Sequence, residues 1–320
     1  MAHHFKLDLQ DSDSVVDIPL DKVGIVGLRK KIEIVQENKN YSFYAEISAL
    51  ISLPAEQRGI HMSRTSETIE EVINEVIFRP TPTIEVVADR IARKLLERHP
   101  YTSKVEVKLA GDIIVRVREK ENRNIQKAYN ISSCAQANKY DSGDVEFNYF
   151  IGASAVGMTV CPCAKEMSQE YAEEIIKTRK DINVSEEDLK KLLNILPFSS
   201  HNQRSTGTII LQINDLNSHR IDVLDIIDII EESMSGKIQS VLKRPEEAEL
   251  IRIAHLKPLF SEDVVREMAK NFMVRNFPNL ESDFKVIFKI ESYESIHPHN
   301  VYAELKTTIG ELKQYIQKQA

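Results

Sequence analysis

The amino-acid sequence predicts an α+β fold in which antiparallel hairpins alternate with helix pairs, and three observations carry that prediction. Apolar residues alternate with polar ones over 21–35 and 40–53, fall at helical spacing over 69–77 and 86–96, and alternate again over 104–118 and 125–133. The resulting order, β-β-α-α-β-β, builds one antiparallel sheet with helices on one face.

Each element follows from its own pattern. In the first hairpin Val23, Ile25, Val26, Leu28, Ile32 and Ile34 are answered by Tyr41, Phe43, Ala45 and Ile47, with Glu37-Asn38-Lys39-Asn40 as the turn. The first helix carries Ile69, Val72, Ile73, Val76 and Ile77. The second, after a break at Pro80-Thr81-Pro82, carries Val86, Val87, Ile91, Leu95 and Leu96. Val105, Val107 and Leu109, then Ile113, Val115 and Val117, alternate over the next strand segment. The second half supports a strand over 145–159, helices over 165–178 and 185–195, and a strand over 207–213. Helices near 221–234 and 261–275 and strands over 284–292 and 299–306 complete it. With 164–200 set aside as a helical insertion, the β-β-α-α-β-β order repeats. The expected organisation is therefore an N-terminal module over 1–140 and a C-terminal module over 141–320, parted by the polar run Asn138-Lys139-Tyr140-Asp141-Ser142-Gly143-Asp144.

Composition narrows the function. Three cysteines, Cys134, Cys161 and Cys163, are too few and too unevenly placed for a disulfide framework and suit a reducing compartment. No stretch reads as a signal peptide or approaches the roughly 20 apolar residues that span a bilayer. The expected location is the cytoplasm, with no membrane partner. A net charge of −7 argues against nucleic acid as the main partner, because backbone binding needs a broad basic surface. A small anionic substrate needs only a local basic pocket.

Five clusters carry side chains suited to chemistry: Gly59-Ile60-His61-Met62-Ser63-Arg64, Cys161-Pro162-Cys163-Ala164-Lys165, His201-Asn202-Gln203-Arg204-Ser205, Lys243-Arg244-Pro245-Glu246-Glu247 and Glu294-Ser295-Ile296-His297-Pro298-His299. Cys161 and Cys163 sit between an apolar strand and a helix, where the helix dipole favours a thiolate, which suits a metal ligand or a catalytic nucleophile. A buried structural role accounts for cysteines about as often. Pro162 and the C-x-C spacing argue against a redox pair. His201, His297 and His299 lie in polar, non-helical sequence. One thiolate, one or two imidazoles and one carboxylate together suit a borderline divalent metal, Zn²⁺ or Fe²⁺, better than Mg²⁺ or Ca²⁺. Arg64, Lys165, Arg204, Lys243 and Arg244 all fall in or beside these clusters, as recognition of a polyphosphate requires. Any one of them alone reads as a solvated surface charge. The residues by themselves thus point to metal-assisted chemistry on an anionic, phosphorylated substrate.

At these five clusters, in order from Gly59 to His299, the sequence resembles the type IB GTP cyclohydrolase family, with its G-x-H-M-S-R, C-P-C, H-N-Q-R, K-R-P-acidic-Glu and E-S-I-H-x-H motifs. The resemblance implies tandem tunnelling-fold modules that assemble into an oligomeric barrel, a homodimer or homotetramer with sites at subunit interfaces. It implies GTP as substrate and Fe²⁺ as cofactor, with Zn²⁺ or Mn²⁺ as substitutes. In bacterial folate-pathway members H-N-Q-R follows C-P-C closely, whereas here 164–200 intervene, as in the archaeal MptA branch. That branch converts GTP to 7,8-dihydroneopterin 2′,3′-cyclic phosphate, releasing formate and pyrophosphate; the alternative product is dihydroneopterin triphosphate. A third reading is a non-catalytic scaffold that binds a pterin or purine. By the resemblance Cys161, His201 and Glu247 are metal ligands and His297 or His299 completes the shell, the other moving protons. Glu294 anchors the guanine edge. His61 and Arg64 come from a neighbouring subunit to meet phosphate, joined by Lys165, Arg204, Lys243 and Arg244. Cys134 is expected to be structural.

Overall fold

The computed structural model describes residues 9–36, 39–78, 83–118, 123–216, 221–275 and 280–318. The break at Pro80-Thr81-Pro82 and the first half of the turn over 37–40 lie outside them. Two compact units divide the chain: Met1–Arg118 with Gln126–Ala153 and Ile210–Val223, and Glu119–Ile125 with Ser154–Ile209 and Leu224–Ala320.

The first unit contains β1 (Leu20–Gln36), β2 (Lys39–Leu53), α1 (Met62–Phe78), α2 (Ile84–Arg98), β3 (Lys104–Arg118), most of β4 (Asn124–Lys139) and the start of β5 (Val145–Val160). β1 and β2 pair antiparallel, as do β2 and β3, and the strands follow the order β1-β2-β3-β4-β5. Alternation decides which face is inside: Phe43, Ala45, Ile47, Ala49 and Ile51 of β2 are buried. Ile69, Val72, Ile73 and Val76 of α1 and Val87, Ile91 and Leu95 of α2 are buried as well. α1 packs on β1 and α2 on β3. Burying each of the valine, leucine, isoleucine and phenylalanine side chains among them contributes about 1.5–3 kcal/mol. Gly111 of β3 is required by backbone approach, since a Cβ there would lie 1.9 Å from the Tyr44 carbonyl oxygen. The polar run after β4 forms a turn inside this unit, with Gly143 at a φ of 89°.

The second unit holds the end of β5, α3 (Pro162–Thr178), α4 (Glu186–Ile195), most of β6 (Asn202–Ile213), α5 (Val223–Glu232), β7 (Gly236–Lys237), α6 (Arg244–Leu256), α7 (Ser261–Arg275), β8 (Lys285–Ser292), β9 (Val301–Thr308) and α8 (Ile309–Gln317). Its strand order is β5-β6-β8-β9, with β7 on β5. Ile226, Ile229 and Ile230 of α5 and Val264, Met268 and Phe272 of α7 are buried with Val286, Phe288 and Ile290 of β8. Phe272 meets Phe288 edge to face with centroids 5.5 Å apart. Gly157 of β5 leaves room for Met234, whose Sδ would lie 2.1 Å from a Cβ there.

The expected insertion is the helix pair α3–α4. α3 buries none of its side chains, and α4 buries Leu189 and Leu193. Two helices, α6 and α8, are absent from the sequence reading, and β6 starts at Asn202, so His201-Asn202-Gln203-Arg204 leads into a strand and is not a loop.

Candidate active site

Three of the residues singled out from sequence, Cys161, His201 and Glu294, meet in the second unit, where β6 and β8 lie side by side. The main-chain N–H of Tyr293 donates to the Arg204 carbonyl at 2.9 Å. Beneath that bond a chain of hydroxyls ties neighbouring elements together. Thr159 meets Ser205, Ser205 meets Ser292 and Ser292 meets Ser261, each at 2.8 Å and all four residues buried. Such a fully satisfied buried network holds one register. It places His201 and Gln203, at the start of β6, against Glu294, just past the end of β8.

Cys161 is the N-cap of α3, with Pro162 opening the helix. Its N–H donates to the His201 carbonyl at 3.1 Å, and its own carbonyl accepts from the Ser200 hydroxyl at 2.6 Å. His255 of α6, itself buried, holds the same segment from the other side: its Nε2 is 3.3 Å from the Ser200 carbonyl and its Nδ1 is 2.8 Å from the Ile251 carbonyl. Ser200 and His255 have no part in the sequence reading, and no pattern in the chain marks them.

Three side chains then form a directed relay. Gln203 Nε2 donates to Glu294 Oε1 at 3.0 Å, and Gln203 Oε1 is 3.1 Å from His201 Nδ1. A carboxylate only accepts, so the amide presents its NH₂ to Glu294 and its carbonyl to His201. That carbonyl also only accepts, so His201 donates from Nδ1, and in the neutral ring this leaves Nε2 as the acceptor nitrogen. The Glu294 side chain is 7% exposed, yet its Oε2 is buried with no hydrogen-bond partner, His201 Nδ1 being 3.7 Å away. A buried carboxylate oxygen without a donor is costly in a folded chain and calls for a partner, a water or a ligand.

The other candidates sit on the surrounding segments. Glu247 is exposed in the first turn of α6. Its neighbour Glu246 is taken up by Arg123, at 2.5 Å, and by the Lys243 N–H, at 2.7 Å. Arg244 is the first residue of α6. His297 and His299 are exposed and stack on one another with centroids 5.2 Å apart. Lys165 lies half-buried in the first turn of α3, and Arg204 is exposed on β6. His61 and Arg64 belong to the first unit, where His61 is buried with Nε2 2.9 Å from Asp11 Oδ1, and Arg64 N–H donates to the His61 carbonyl at 3.0 Å. Cys134 is buried in β4, and burial pushes its thiol up to about 12.

Among the described residues no three or more His, Cys, Asp or Glu side chains stand close enough to share one metal ion. Of the expected ligands, Cys161 and His201 are tied together through the main chain, and His201 Nδ1 is held by Gln203, the kind of orienting hydrogen bond found behind histidine metal ligands. Softness of the donors favours Zn²⁺ or Fe²⁺.

The chain resembles, in fold, the uricase of Arthrobacter globiformis, with a TM-score of 0.52 over 90% of this chain and 93% of that one at 8% identity. A urate oxidase from Bacillus sp. TB-90 gives 0.52 over 90% and 99% at 10% identity. At such identities the likeness shows the tunnelling fold alone. In sequence the chain is 35% identical to the GTP cyclohydrolase MptA of Methanocaldococcus jannaschii over 312 residues, 97% of each chain. It is 35% identical to that of Methanosphaera stadtmanae over 309 residues, 96% of each. A family model described as type I GTP cyclohydrolase folE2 matches residues 7–303. With that match running almost end to end, this chain belongs to the type I GTP cyclohydrolase FolE2 family of enzymes.

Proposed function

We propose that the protein opens the imidazole ring of GTP by hydrolysis at C8, releases formate, and yields 7,8-dihydroneopterin 2′,3′-cyclic phosphate with loss of pyrophosphate, the entry to methanopterin-type pterin synthesis. The observation that carries this reading is the open, buried Oε2 of Glu294 beside the fastened Cys161–His201 pair. A purine edge offers the donors that this oxygen lacks, guanine N1–H and the exocyclic amine. Gln203 holds the other oxygen, so the acceptor is aimed before substrate arrives, and a base without those donors leaves a buried carboxylate unpaired.

In this reading Cys161, His201, Glu247 and one of His297 and His299 hold Fe²⁺, with Zn²⁺ or Mn²⁺ as substitutes. A divalent cation held there supplies Lewis acidity, which makes water a nucleophile near neutral pH. The other of His297 and His299 carries protons to and from the opening ring. Lys165, Arg204, Lys243 and Arg244 meet the triphosphate. His61 and Arg64 lie in the other unit, and we assign them to the triphosphate bound by a neighbouring subunit of a homodimer or homotetramer. No helix among the described residues is long and apolar enough to cross a membrane, and we place the enzyme in the cytoplasm.

The cyclic phosphate product is favoured by the α3–α4 pair between Cys161 and His201 and by relatives named MptA along the whole chain. Anaerobic incubation with GTP and Fe²⁺ followed by mass spectrometry of the product tests it. A cyclic monophosphate with one equivalent of formate is expected. A triphosphate assigns the folate-type reaction, and unchanged GTP overturns the reading.

A further inference from the structure

Gln203 lies in the H-N-Q-R segment, but the recognition of GTP described above gives it no contact with substrate. Its position does more than fill space. It is half-buried, donates to Glu294 Oε1 at 3.0 Å and accepts from His201 Nδ1 at 3.1 Å, bridging strands β6 and β8 over 91 residues of sequence. The His201 side chain is 16% exposed and the Glu294 side chain 7%, so neither link is replaced freely by water. An amide is the natural group for this place, because its ends have opposite polarity and one end faces a carboxylate while the other faces a ring N–H.

We infer that Gln203 is a positioning residue that sets the His201 tautomer and, through one rigid amide, couples the imidazole of the cation site to the carboxylate that reads the base. This rests on the assignment of His201 and Glu294 made above. It explains why both oxygens of Glu294 are not left to the substrate: one is spent on orientation, and the base contacts the other. Binding the base and holding the cation then depend on one another. A guanine edge that draws in Glu294 also tightens the amide against His201, and a cation on Nε2 makes Nδ1–H a better donor to the amide.

The inference is tested with variants that rearrange the relay without changing its shape, read by Zn²⁺ alone in a chelator competition and by ¹⁵N–¹H correlation of the histidine rings in the metal-free protein. Gln203→Leu removes both links and is expected to weaken zinc about tenfold to a hundredfold, the usual cost of losing an orienting partner. In its spectra the His201 ring leaves the Nδ1–H form. Gln203→Glu can still accept from His201 but faces Glu294 with a second carboxylate, so it also loses affinity. The double variant Gln203→Glu with Glu294→Gln restores a donor on residue 294 and an acceptor on residue 203, and zinc affinity returns to within a few fold of the parent. Recovery by a second change on a segment distant in sequence distinguishes a relay from a spacer. Zinc affinity unchanged in Gln203→Leu, or a double variant no better than Gln203→Glu alone, overturns the inference while leaving the proposed reaction intact. Failure of the parent chain to take up zinc overturns the cation site itself, and the coupling with it.

Discussion

The main-chain N–H of Cys161 donates to the carbonyl of His201 at 3.1 Å, joining two residues that flank the whole α3–α4 excursion. The Ser200 hydroxyl on the Cys161 carbonyl, at 2.6 Å, closes the same loop from the segment just before β6. The helix pair is thus tied at its base, and the thiol and imidazole keep their places however long the chain between them grows. This is how a segment far longer than a tight connection can be inserted between two site residues without separating them.

A first prediction concerns the thiols. Cys161→Ser is expected to abolish turnover and to lower metal content, since a hydroxyl is a much poorer ligand than a thiolate for a borderline cation. Cys134→Ser is expected to turn over at nearly the parent rate. Burial holds the Cys134 thiol protonated at neutral pH, so in the native protein iodoacetamide should label exposed Cys163 and leave Cys134 untouched. Mass spectrometry of the alkylated peptides and metal analysis of both variants check this. Full activity of Cys161→Ser removes that residue from the site.

The legibility of the chain follows from what each element buries. β2 alternates cleanly because one face meets helices and the other does not, and α1 and α2 show their stripe because a full face is covered. α6 is hidden by its own chemistry: among its buried residues are only Ala254 and His255, and its start, Lys243-Arg244-Pro245, reads as a charged loop although proline there opens the helix. The site residues are visible as clusters, but their partners are not. The relay from His201 through Gln203 to Glu294 depends on β6 and β8 lying side by side with α5, β7, α6 and α7 between them in sequence. Local pattern carries no information about that pairing.

A second prediction separates contributions from two subunits. If Arg64 serves the phosphate end of a site whose Cys161 lies on a neighbour, Cys161→Ser and Arg64→Ala are each nearly inactive alone. Unfolded together and refolded as a mixture, they should recover a sizeable share of parent activity, because mixed oligomers contain some sites with both residues intact. Steady-state rates of the refolded mixture, with each variant refolded alone as control, provide the measurement. A mixture no better than its components places both residues in one chain's site.

A third prediction is a pH dependence of stability arising from His99. Its side chain is fully buried, with Nδ1 2.8 Å from the Tyr101 hydroxyl and Nε2 3.2 Å from Thr65 Oγ1. Burial, then the nearby charges of Arg64, His61 and Arg98, lower its pKa to about 4. The folded state therefore binds its proton later than the unfolded chain does. The stabilisation is complete above the ordinary histidine value and is lost as pH falls from about 6.5 toward 4, at up to about 1.4 kcal/mol per unit. Urea midpoints at pH 7, 6 and 5 should fall more steeply for the parent than for His99→Gln. Parallel curves would place the titration elsewhere.

The last prediction assigns the two carboxylates. Glu294 is almost fully buried, one oxygen held by Gln203 and the other open, whereas Glu247 is exposed at the start of α6. Glu294→Gln keeps the shape and can still accept from Gln203 through its carbonyl, so His201 keeps its partner and metal content stays normal. The open position, however, becomes an NH₂ facing the N–H groups of guanine. Donor against donor inside a buried site costs about 1–3 kcal/mol, so GTP binding should weaken by roughly one to two orders of magnitude. Glu247→Gln touches no base contact and should show the reverse, losing metal first and retaining the nucleotide affinity of the metal-free protein. Isothermal titration with GTP and metal analysis on the same preparations decide between them. Metal lost from the Glu294 variant and kept in the Glu247 variant means the two roles are exchanged, and with them the direction in which Gln203 passes its orientation.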